Sequence, residues 1–266
     1  LRASACEKRR VSVMNLIRSF FIAFSMYSKI PMPRTDWTKE SMRYAMCFFP
    51  VIGAVIGGLL YLWIYLTGDS TGSLFRAAVA VLIPIIITGG IHLDGLLDTA
   101  DALSSYKTKE EKLEILKDSH AGAFAIIIGI CWFVLDFGIY SEADTHTIGL
   151  LAIGFVISRT LSGLSLVSFR MAKNTGLAAT FSDMALKSRV RIVMICYLIV
   201  CAGLLLYLDP LYGTAELIGA LLVFFWYRHL SYEKFGGITG DLAGFFLQNC
   251  ELFMAVCVIG LRIVLR

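Results

Sequence analysis

Seven long apolar segments constrain the fold of this chain more than any other feature of its 266 residues. Each is long enough to form a helix that satisfies its own backbone hydrogen bonds inside a lipid bilayer. The chain is 58% hydrophobic with a mean hydropathy of +0.75, which is above the range of soluble domains. The sequence therefore predicts an all-α fold, a polytopic membrane helical bundle of about seven transmembrane helices. The predicted spans are 44–66, 73–91, 121–140, 147–169, 190–208, 213–227 and 242–265, of which the sixth is the shortest.

The distribution of lysine and arginine predicts how the bundle is oriented. The chain before the first span carries nine of these residues, and the segments after spans two, four and six are also basic, whereas the other three loops contain none. Since basic loops stay on the cytoplasmic side, we expect the N-terminus inside and the C-terminus outside. The net charge of +4 reflects this basic rim and does not indicate nucleic-acid binding.

The N-terminal region divides into two predicted parts. Residues 1–13 are expected to be a disordered extension, and residues 14–266 to form a single integral-membrane catalytic domain. Residues 14–28 are apolar and basic, and no small-x-small cleavage site follows them, as it would in a signal peptide. We therefore expect an amphipathic interfacial segment that lies on the inner leaflet.

Three aspartates follow the second predicted span, in the stretch GGIHLDGLLDTAD at residues 89–101, which we call the aspartate stretch. On a helix, Asp94, Asp98 and Asp101 point into one sector about 60° wide. Carboxylates this close repel one another unless protons or cations relieve the repulsion. Oxygen-only ligands suit Mg²⁺, with Mn²⁺ as a substitute. The alternative, acids that complement a helix N-terminus, explains one or two of the three.

A second stretch, GGITGD at residues 236–241, repeats the pattern Gly-Gly-Ile-x-x-Asp and adds Asp241 as a metal ligand. We expect the two stretches to meet at one cytoplasmic cavity. Gly89, Gly90, Gly236 and Gly237 serve either as loop residues or as points of close backbone approach to a substrate phosphate.

Further charged residues accompany these stretches. Asp118 follows a polar helical segment, and it is either part of the metal and catalytic site or a helix cap. Glu251 lies within the last span, where an ionised carboxylate without a partner is costly, so we expect it to face the cavity or to pair with Arg159. Asp136 is the other candidate partner of Arg159. The basic residues Lys117, Arg159, Arg170 and Lys173 would bind the diphosphate of a substrate, with Lys117 near the reacting groups.

These motifs together resemble the cobalamin synthase family, the adenosylcobinamide-GDP ribazoletransferases of vitamin B12 nucleotide-loop assembly. The resemblance rests on GGIHLDGLLDTADAL, LEILKDSHAGAF and GGITGDLAG, and on FSMYSKIPMP, FFPVIGAVIGGLL and KNTGLAATF. It covers nearly all of residues 14–266 in order. This chain departs from the family pattern at Leu97, His120, Leu242, Ala243 and Phe245, which bear on the shape of the site.

The resemblance implies a Mg²⁺-dependent enzyme in the cytoplasmic (inner) membrane of a prokaryote. It would join adenosylcobinamide-GDP to α-ribazole or its 5′-phosphate and release GMP, with its site facing the cytoplasm. Asp94, Asp98, Asp101, Asp118 and Asp241 match the family's acids. His92 matches its histidine, and we interpret it either as the base for the attacking hydroxyl or as a residue that orients an aspartate. Contact with other nucleotide-loop enzymes is also implied, whereas the oligomeric state leaves no signal in the sequence.

Three rival functions were weighed against this one. A CDP-alcohol phosphotransferase would need Asp-Gly followed by Ala-Arg, which the sequence lacks. An aspartate-rich prenyltransferase would favour Asn-Asp at the start of the motif, where this chain has His-Leu-Asp. A cation transporter would place acids near mid-membrane on several helices, whereas here they gather at the ends of the spans.

Overall fold

The structure is a computed structural model that describes residues 2–68, 70–118 and 120–265. Over these ranges the chain is a series of helices joined by short loops, as the apolar segments predict. The helices are α1 Arg2–Tyr27, α2 Lys39–Met42, a 3-10 helix Ala45–Phe48, α3 Phe49–Thr67, α4 Ser73–Thr88, α5 Ile91–Ser104, α6 Lys109–Ile115, α7 Ala123–Glu142, α8 Thr145–Ser168, α9 Leu177–Met184, α10 Lys187–Leu208, α11 Pro210–Phe235 and α12 Gly240–Val264.

The predicted spans all correspond to helices. Within the described ranges, six helices are long and apolar enough to cross a membrane, and the bent pair of α4 and α5 makes a seventh if it is counted as one span. The sixth predicted span is longer than expected, because Asp209 caps the start of α11 and Pro210 occupies its first position. The fold is thus the polytopic helical bundle that the sequence predicts.

The N-terminal region differs from its prediction. Helix α1 is continuous from Arg2, so residues 2–13 are helical where a disordered extension was expected. From residue 13 onward, the burial of α1 changes along its length: Val13 and Ile17 are exposed, whereas Ile22 and Phe24 further along are buried in the bundle. The helix thus runs through residue 14 without a break, and the division into an extension and a catalytic domain stays a prediction.

A sharp break separates α4 from the aspartate stretch. Gly89 and Gly90 have φ angles of 67° and 80°, in the left-handed region that favours glycine. The axes of α4 and α5 therefore differ by 96°. The side chain of Lys29 packs against Gly89 at the place that the Cβ of any other residue would occupy. The second span consequently ends at Thr88, and the aspartates lie on a helix of different direction.

Helix α8 is the centre of the bundle and packs against α3, α10, α11 and α12. Its contact with α3 is close because Gly53 and Gly57 face the backbone of Phe155 and Ala152. Small residues at such contacts are the usual basis of helix association in lipid, where burial of apolar surface gives little driving force. Helix α12 joins this centre to α5, and so fixes the aspartate stretch to the core.

Candidate active site

The aspartate stretch and the GGITGD stretch lie against each other where α5 and α12 begin. A Cβ on Gly95 would lie 2.6 Å from the carbonyl oxygen of Asp241, and a Cβ on Gly244 would lie 2.9 Å from the carbonyl oxygen of His92. Only glycine permits backbones to approach so closely. The prediction that the two stretches meet is confirmed, and their separation is set by backbone contact.

Asp94 and Asp241 line one cavity of about 460 Å³, together with Lys117 and Lys173. This volume is within the range of small-molecule sites. The four charged side chains are exposed or half-buried, so they form a polar mouth. The rest of the wall is largely apolar and more deeply buried. A diphosphate and a cation would suit the mouth, because opposite charges are already present there.

Asp98 lies one turn beyond Asp94 on α5. It is half-buried, and its carboxylate is within electrostatic range of Asp94, Asp241 and Asp101. Like charges gathered at a partly desolvated position favour a bound cation. Asp94, Asp98 and Asp241 offer only oxygen donors, the ligand type that a hard divalent ion such as Mg²⁺ prefers. In the part of the chain that the structure describes, no three His, Cys, Asp or Glu side chains already converge on one point as a metal-binding group.

Asp101 makes different contacts. Its carboxylate accepts hydrogen bonds from the backbone N–H groups of Gly122, at 2.5 Å, and Ala125, at 2.8 Å. These are free donors at the start of α7, and a carboxylate there also complements the helix dipole. In this arrangement Asp101 joins α5 to α7, a contact that its helical spacing from Asp94 and Asp98 does not reveal.

Asp118 lies in the exposed loop after α6. It accepts hydrogen bonds from the His120 backbone N–H at 3.0 Å and pairs with His120 Nδ1 at 2.7 Å. These bonds hold the pKa of the Asp118 carboxyl below its usual value. Asp118 is in a local turn and caps neither neighbouring helix, since Leu116 ends α6 and Gly122 precedes α7. It is also not part of the cavity wall described above, so its predicted metal or catalytic role stays a prediction. Lys117 does line the cavity, although its Nζ also contacts Glu114 at 2.6 Å.

The basic segment after α8 is attached to the GGITGD stretch. Arg170 donates from Nε to the carbonyl of Gly236 at 2.9 Å, and its own carbonyl accepts from the N–H of Ile238 at 2.9 Å. A Cβ on Gly237 would lie 2.5 Å from the Arg170 carbonyl oxygen. Gly237 therefore permits close approach to another protein segment, and Gly236 ends α11 with a φ of 77°.

Lys173 reaches the cavity from this segment. Its Nζ donates to the carbonyl of Leu113 on α6 at 2.6 Å. Desolvation, followed by the nearby charge of Lys117, lowers the pKa of Lys173 from its ordinary value. Lys173 is the basic residue of the predicted set that is both half-buried and part of the cavity wall.

Arg159 and Glu251 form an ion pair inside the bundle, with Nη1 and Oε1 2.5 Å apart. Ser158 also donates to the same carboxylate oxygen at 2.7 Å. Two alternatives were expected for Glu251, facing the cavity or pairing with Arg159. The ion pair confirms the second. Glu251, not Asp136, is the partner of Arg159, although Asp136 is buried within electrostatic range of Glu251. This pairing makes two charges tolerable in the membrane interior, and it gives Arg159 a structural contact in place of the predicted substrate contact.

His92 lies in the first turn of α5, which begins at Ile91 directly after the Gly89-Gly90 break. Its side chain is 4% exposed and lines the cavity. Its ring is 6.2 Å from that of Tyr27 with nearly parallel planes, and 5.9 Å from that of Phe49. Among the described residues, neither ring nitrogen has a hydrogen-bond partner.

Two features of the site region were not predicted from the sequence, the aromatic residues of the cavity and the burial of one lysine. Tyr27 and Phe49 lie in the segments FSMYSKIPMP and FFPVIGAVIGGLL, which carry the family resemblance, but no periodicity marks them as cavity residues. Lys112 belongs to the polar helical segment before Asp118, where a solvent-exposed side chain is expected. Instead it is buried, and its Nζ donates to the carbonyls of Ala102 at 3.0 Å and Ser105 at 2.8 Å, at the end of α5.

Comparison with known proteins gives a consistent result along the whole chain. The family model described as cobalamin-5-phosphate synthase matches residues 19–259. The adenosylcobinamide-GDP ribazoletransferase of Lachnoclostridium phytofermentans is 49% identical over 247 residues, covering 92% of this chain and 95% of that protein. Its counterpart in Clostridium perfringens strain SM101 is 32% identical over 243 residues, covering 90% and 96%. That of Desulfitobacterium hafniense strain Y51 is 30% identical over 256 residues, covering 90% and 95%.

No solved structure matches the chain. The family match extends from α1 to α12 and includes every residue that lines the cavity. This chain therefore belongs to the cobalamin-5-phosphate synthase family.

Proposed function

We propose that this chain is an adenosylcobinamide-GDP ribazoletransferase, which joins adenosylcobinamide-GDP to α-ribazole or α-ribazole 5′-phosphate and releases GMP. The observation that carries the proposal is the meeting of Asp94 and Asp241 in one cavity whose mouth also holds Lys117 and Lys173. Acids that hold a cation, beside lysines, are the groups that transfer from a diphosphate requires. The names of the curated relatives supply the substrates.

The reaction is a displacement at phosphorus. A ribose hydroxyl of the acceptor forms a new O–P bond to the phosphate nearest the corrinoid. The bond between that phosphorus and the bridging oxygen breaks, and GMP leaves with the electron pair. The hydroxyl proton passes to a base, for which His92 is the candidate on the cavity wall; the alternative is that His92 orients an aspartate.

In this proposal Asp94, Asp98 and Asp241 would hold Mg²⁺, with Mn²⁺ as a substitute. The ion would supply charge neutralisation for the diphosphate oxygens. Asp101 supports this group by fixing α5 to the start of α7. Asp118 has no assigned step, since its carboxylate is engaged by His120.

Lys173 and Lys117 neutralise negative charge on the departing phosphate, because both line the cavity, Lys117 from the loop after α6 and Lys173 from the loop after α8. Arg170 holds the loop that carries Lys173 against Gly236. Lys173 and Lys117 are thus assigned to the substrate, and Arg170 is assigned to the support of Lys173.

The proposed setting is the cytoplasmic (inner) membrane of a prokaryote, with the N-terminus and the cavity on the cytoplasmic side. The basic loops support this orientation. Both the aspartate stretch and the GGITGD stretch adjoin such loops.

The test is an assay of the purified chain in lipid with adenosylcobinamide-GDP, α-ribazole 5′-phosphate and Mg²⁺. We expect GMP release that depends on both substrates and on the ion. Ion flux into sealed vesicles, without GMP release under any of these conditions, would instead support a transporter and reject the proposal.

A further inference from the structure

The cavity that contains Asp94 and Asp241 has two chemically different ends. All four charged side chains of its wall are at the exposed end. The buried part of the wall is made mainly by side chains that are no more than 5% exposed, namely Met46, Phe49, His92, Ser162, Leu166 and Leu247. A ligand that fills the cavity must therefore have a charged part and an apolar part.

The buried end is built from flat side chains. The ring of Tyr27 lies 4.5 Å from that of Phe49 and nearly parallel to that of His92 at 6.2 Å. Tyr27 is held in place by its hydroxyl, which donates to the Met46 sulfur at 3.9 Å, and by the ring of Phe181 at 5.6 Å. Rings fixed in this way favour a planar aromatic ligand, which stacks on them without ordering a flexible side chain.

The buried end also contains a polar side chain whose nitrogens have no hydrogen-bond partner among the described residues. Within the described part of the chain, neither nitrogen of the buried His92 ring has a hydrogen-bond partner. A buried polar atom left unpaired is unfavourable, because it has lost its hydrogen bonds to water. A ligand with one polar edge would remove this cost.

We infer that the buried end of the cavity binds the benzimidazole base of the acceptor nucleoside, with Tyr27 as a specificity-determining residue. The inference rests on the proposed function, since α-ribazole is the benzimidazole nucleoside of that reaction. Its base is planar and largely apolar, and it has one free ring nitrogen. One nitrogen of His92 would donate to the ring nitrogen of the base, and the other would remain to accept from the ribose hydroxyl, which points toward the mouth where the diphosphate of the donor binds.

The guanine of the donor is the competing occupant, and it fits the buried end less well. Guanine carries several hydrogen-bonding groups along its edges, each of which needs a partner when buried. Three buried polar side chains line the wall, His92, Ser162 and Thr239. The Thr239 hydroxyl is already bonded to the Leu242 N–H and the Asp241 carboxylate, which leaves His92 and Ser162 for a ligand. Two such groups suit a base with one polar atom and leave most of a guanine edge unpaired.

The first test is competition by 5,6-dimethylbenzimidazole alone, measured with the full-length protein in lipid nanodiscs. We expect it to inhibit competitively against α-ribazole and to leave the KM of adenosylcobinamide-GDP unchanged. Competition against the donor, or no inhibition up to the solubility limit of the base, would overturn the inference. GMP release by the wild-type protein tests the proposed function separately, so the two failures are distinguishable.

The second test uses Tyr27. Tyr27→Ala should raise the KM of α-ribazole on the order of tenfold, the usual cost of losing a stacking ring, with the donor KM within about twofold of the wild type. Tyr27→Phe keeps the ring and should retain the wild-type acceptor KM. Tyr65→Ala removes an exposed aromatic residue on α3 and serves as the matched control.

A further variant, Leu247→Phe, distinguishes a specific effect on the acceptor base from general misfolding. Leu247→Phe reduces the space at the buried end, so it should shift the ratio of kcat/KM values toward the nucleoside of unsubstituted benzimidazole and away from the dimethyl base. A purely structural effect lowers both values together. An unchanged ratio in Leu247→Phe, with an unchanged acceptor KM in Tyr27→Ala, would place the base elsewhere.

Discussion

Single carboxylates of the aspartate stretch have different surroundings, although their spacing makes them look equivalent. Asp94 faces the mouth of the cavity, Asp98 is half-buried among three other acids, and Asp101 binds the start of α7. Their roles should separate accordingly when each is replaced.

Asp98→Asn is the sharpest replacement, because it keeps the volume and removes the charge. We expect turnover to fall by about a hundredfold or more, the range for loss of one group that stabilises transition-state charge, while insertion and thermal stability are kept. GMP release over a range of Mg²⁺ concentrations measures this. Asp36→Asn, at an exposed acid outside the cavity wall, is the control. Near-normal turnover of the Asp98 variant would contradict the metal assignment.

His92→Ala separates the two roles of the histidine. A base role predicts a large loss of turnover and the disappearance of the acid limb of the pH–rate profile. An orienting role predicts a weaker requirement for Mg²⁺ that excess metal restores, with the acid limb retained. The profile of kcat/KM against pH, measured at two metal concentrations, distinguishes them.

Lys173 gives a prediction at alkaline pH. Its pKa is lowered, chiefly by desolvation, so the positive charge is lost at a lower pH than for an ordinary lysine. Activity that needs this charge should be present below the lowered pKa and decline as the pH rises through it. Lys173→Arg keeps the charge at all accessible pH values and should move the alkaline limb of kcat/KM upward. The same limb in both proteins would remove Lys173 from the reaction.

At the scale of elements, the C-terminal end of α5 is held by hydrogen bonds to α6 and to the start of α7. Lys112 on α6 donates to the carbonyls of Ala102 and Ser105 at the end of α5, and Asp101 on α5 accepts from the start of α7. The loop between α5 and α7 is thereby tied to the helix that carries the aspartates.

Lys112→Met tests this connection. It keeps the length of the side chain but leaves the last carbonyls of α5 without their charged donor. We expect a loss of about 2 kcal/mol in the free energy of unfolding, measured by denaturant titration in mixed micelles. Lys109→Met, at an exposed position on the same helix, should change stability little. Equal stability of the two variants would show that the bonds of Lys112 contribute nothing.

The limits of prediction follow from these elements. The helices were predicted well because apolar length alone determines a span. The meeting of the two Gly-Gly-Ile stretches was predicted from a repeated motif. The helical start at Ile91, the capping by Asp101 and the burial of Lys112 were not predicted, since each depends on a neighbouring element that sequence periodicity does not encode.

At the scale of the whole molecule, the orientation in the membrane is the main open prediction. We expect the loop between α5 and α6 on the cytoplasmic side and the loop between α3 and α4 on the opposite side. In a background without cysteine, Tyr106→Cys should react with an impermeant maleimide only in inside-out vesicles, and Ser70→Cys only in right-side-out vesicles. Both positions are exposed. The reverse labelling pattern would show that the bundle has the opposite orientation in the membrane.

The glycine contacts between α5 and α12 have a consequence for how the enzyme responds to its bilayer. Gly95 against Asp241 and Gly244 against His92 bring backbone onto backbone, with no side chain between them to flex. Thinning or stretching of the membrane tilts helices through their lipid-facing sides, but it cannot separate these two helix starts without breaking the contacts. The spacing of Asp94 and Asp241 should thus stay constant when lipid composition, growth temperature or lateral tension changes.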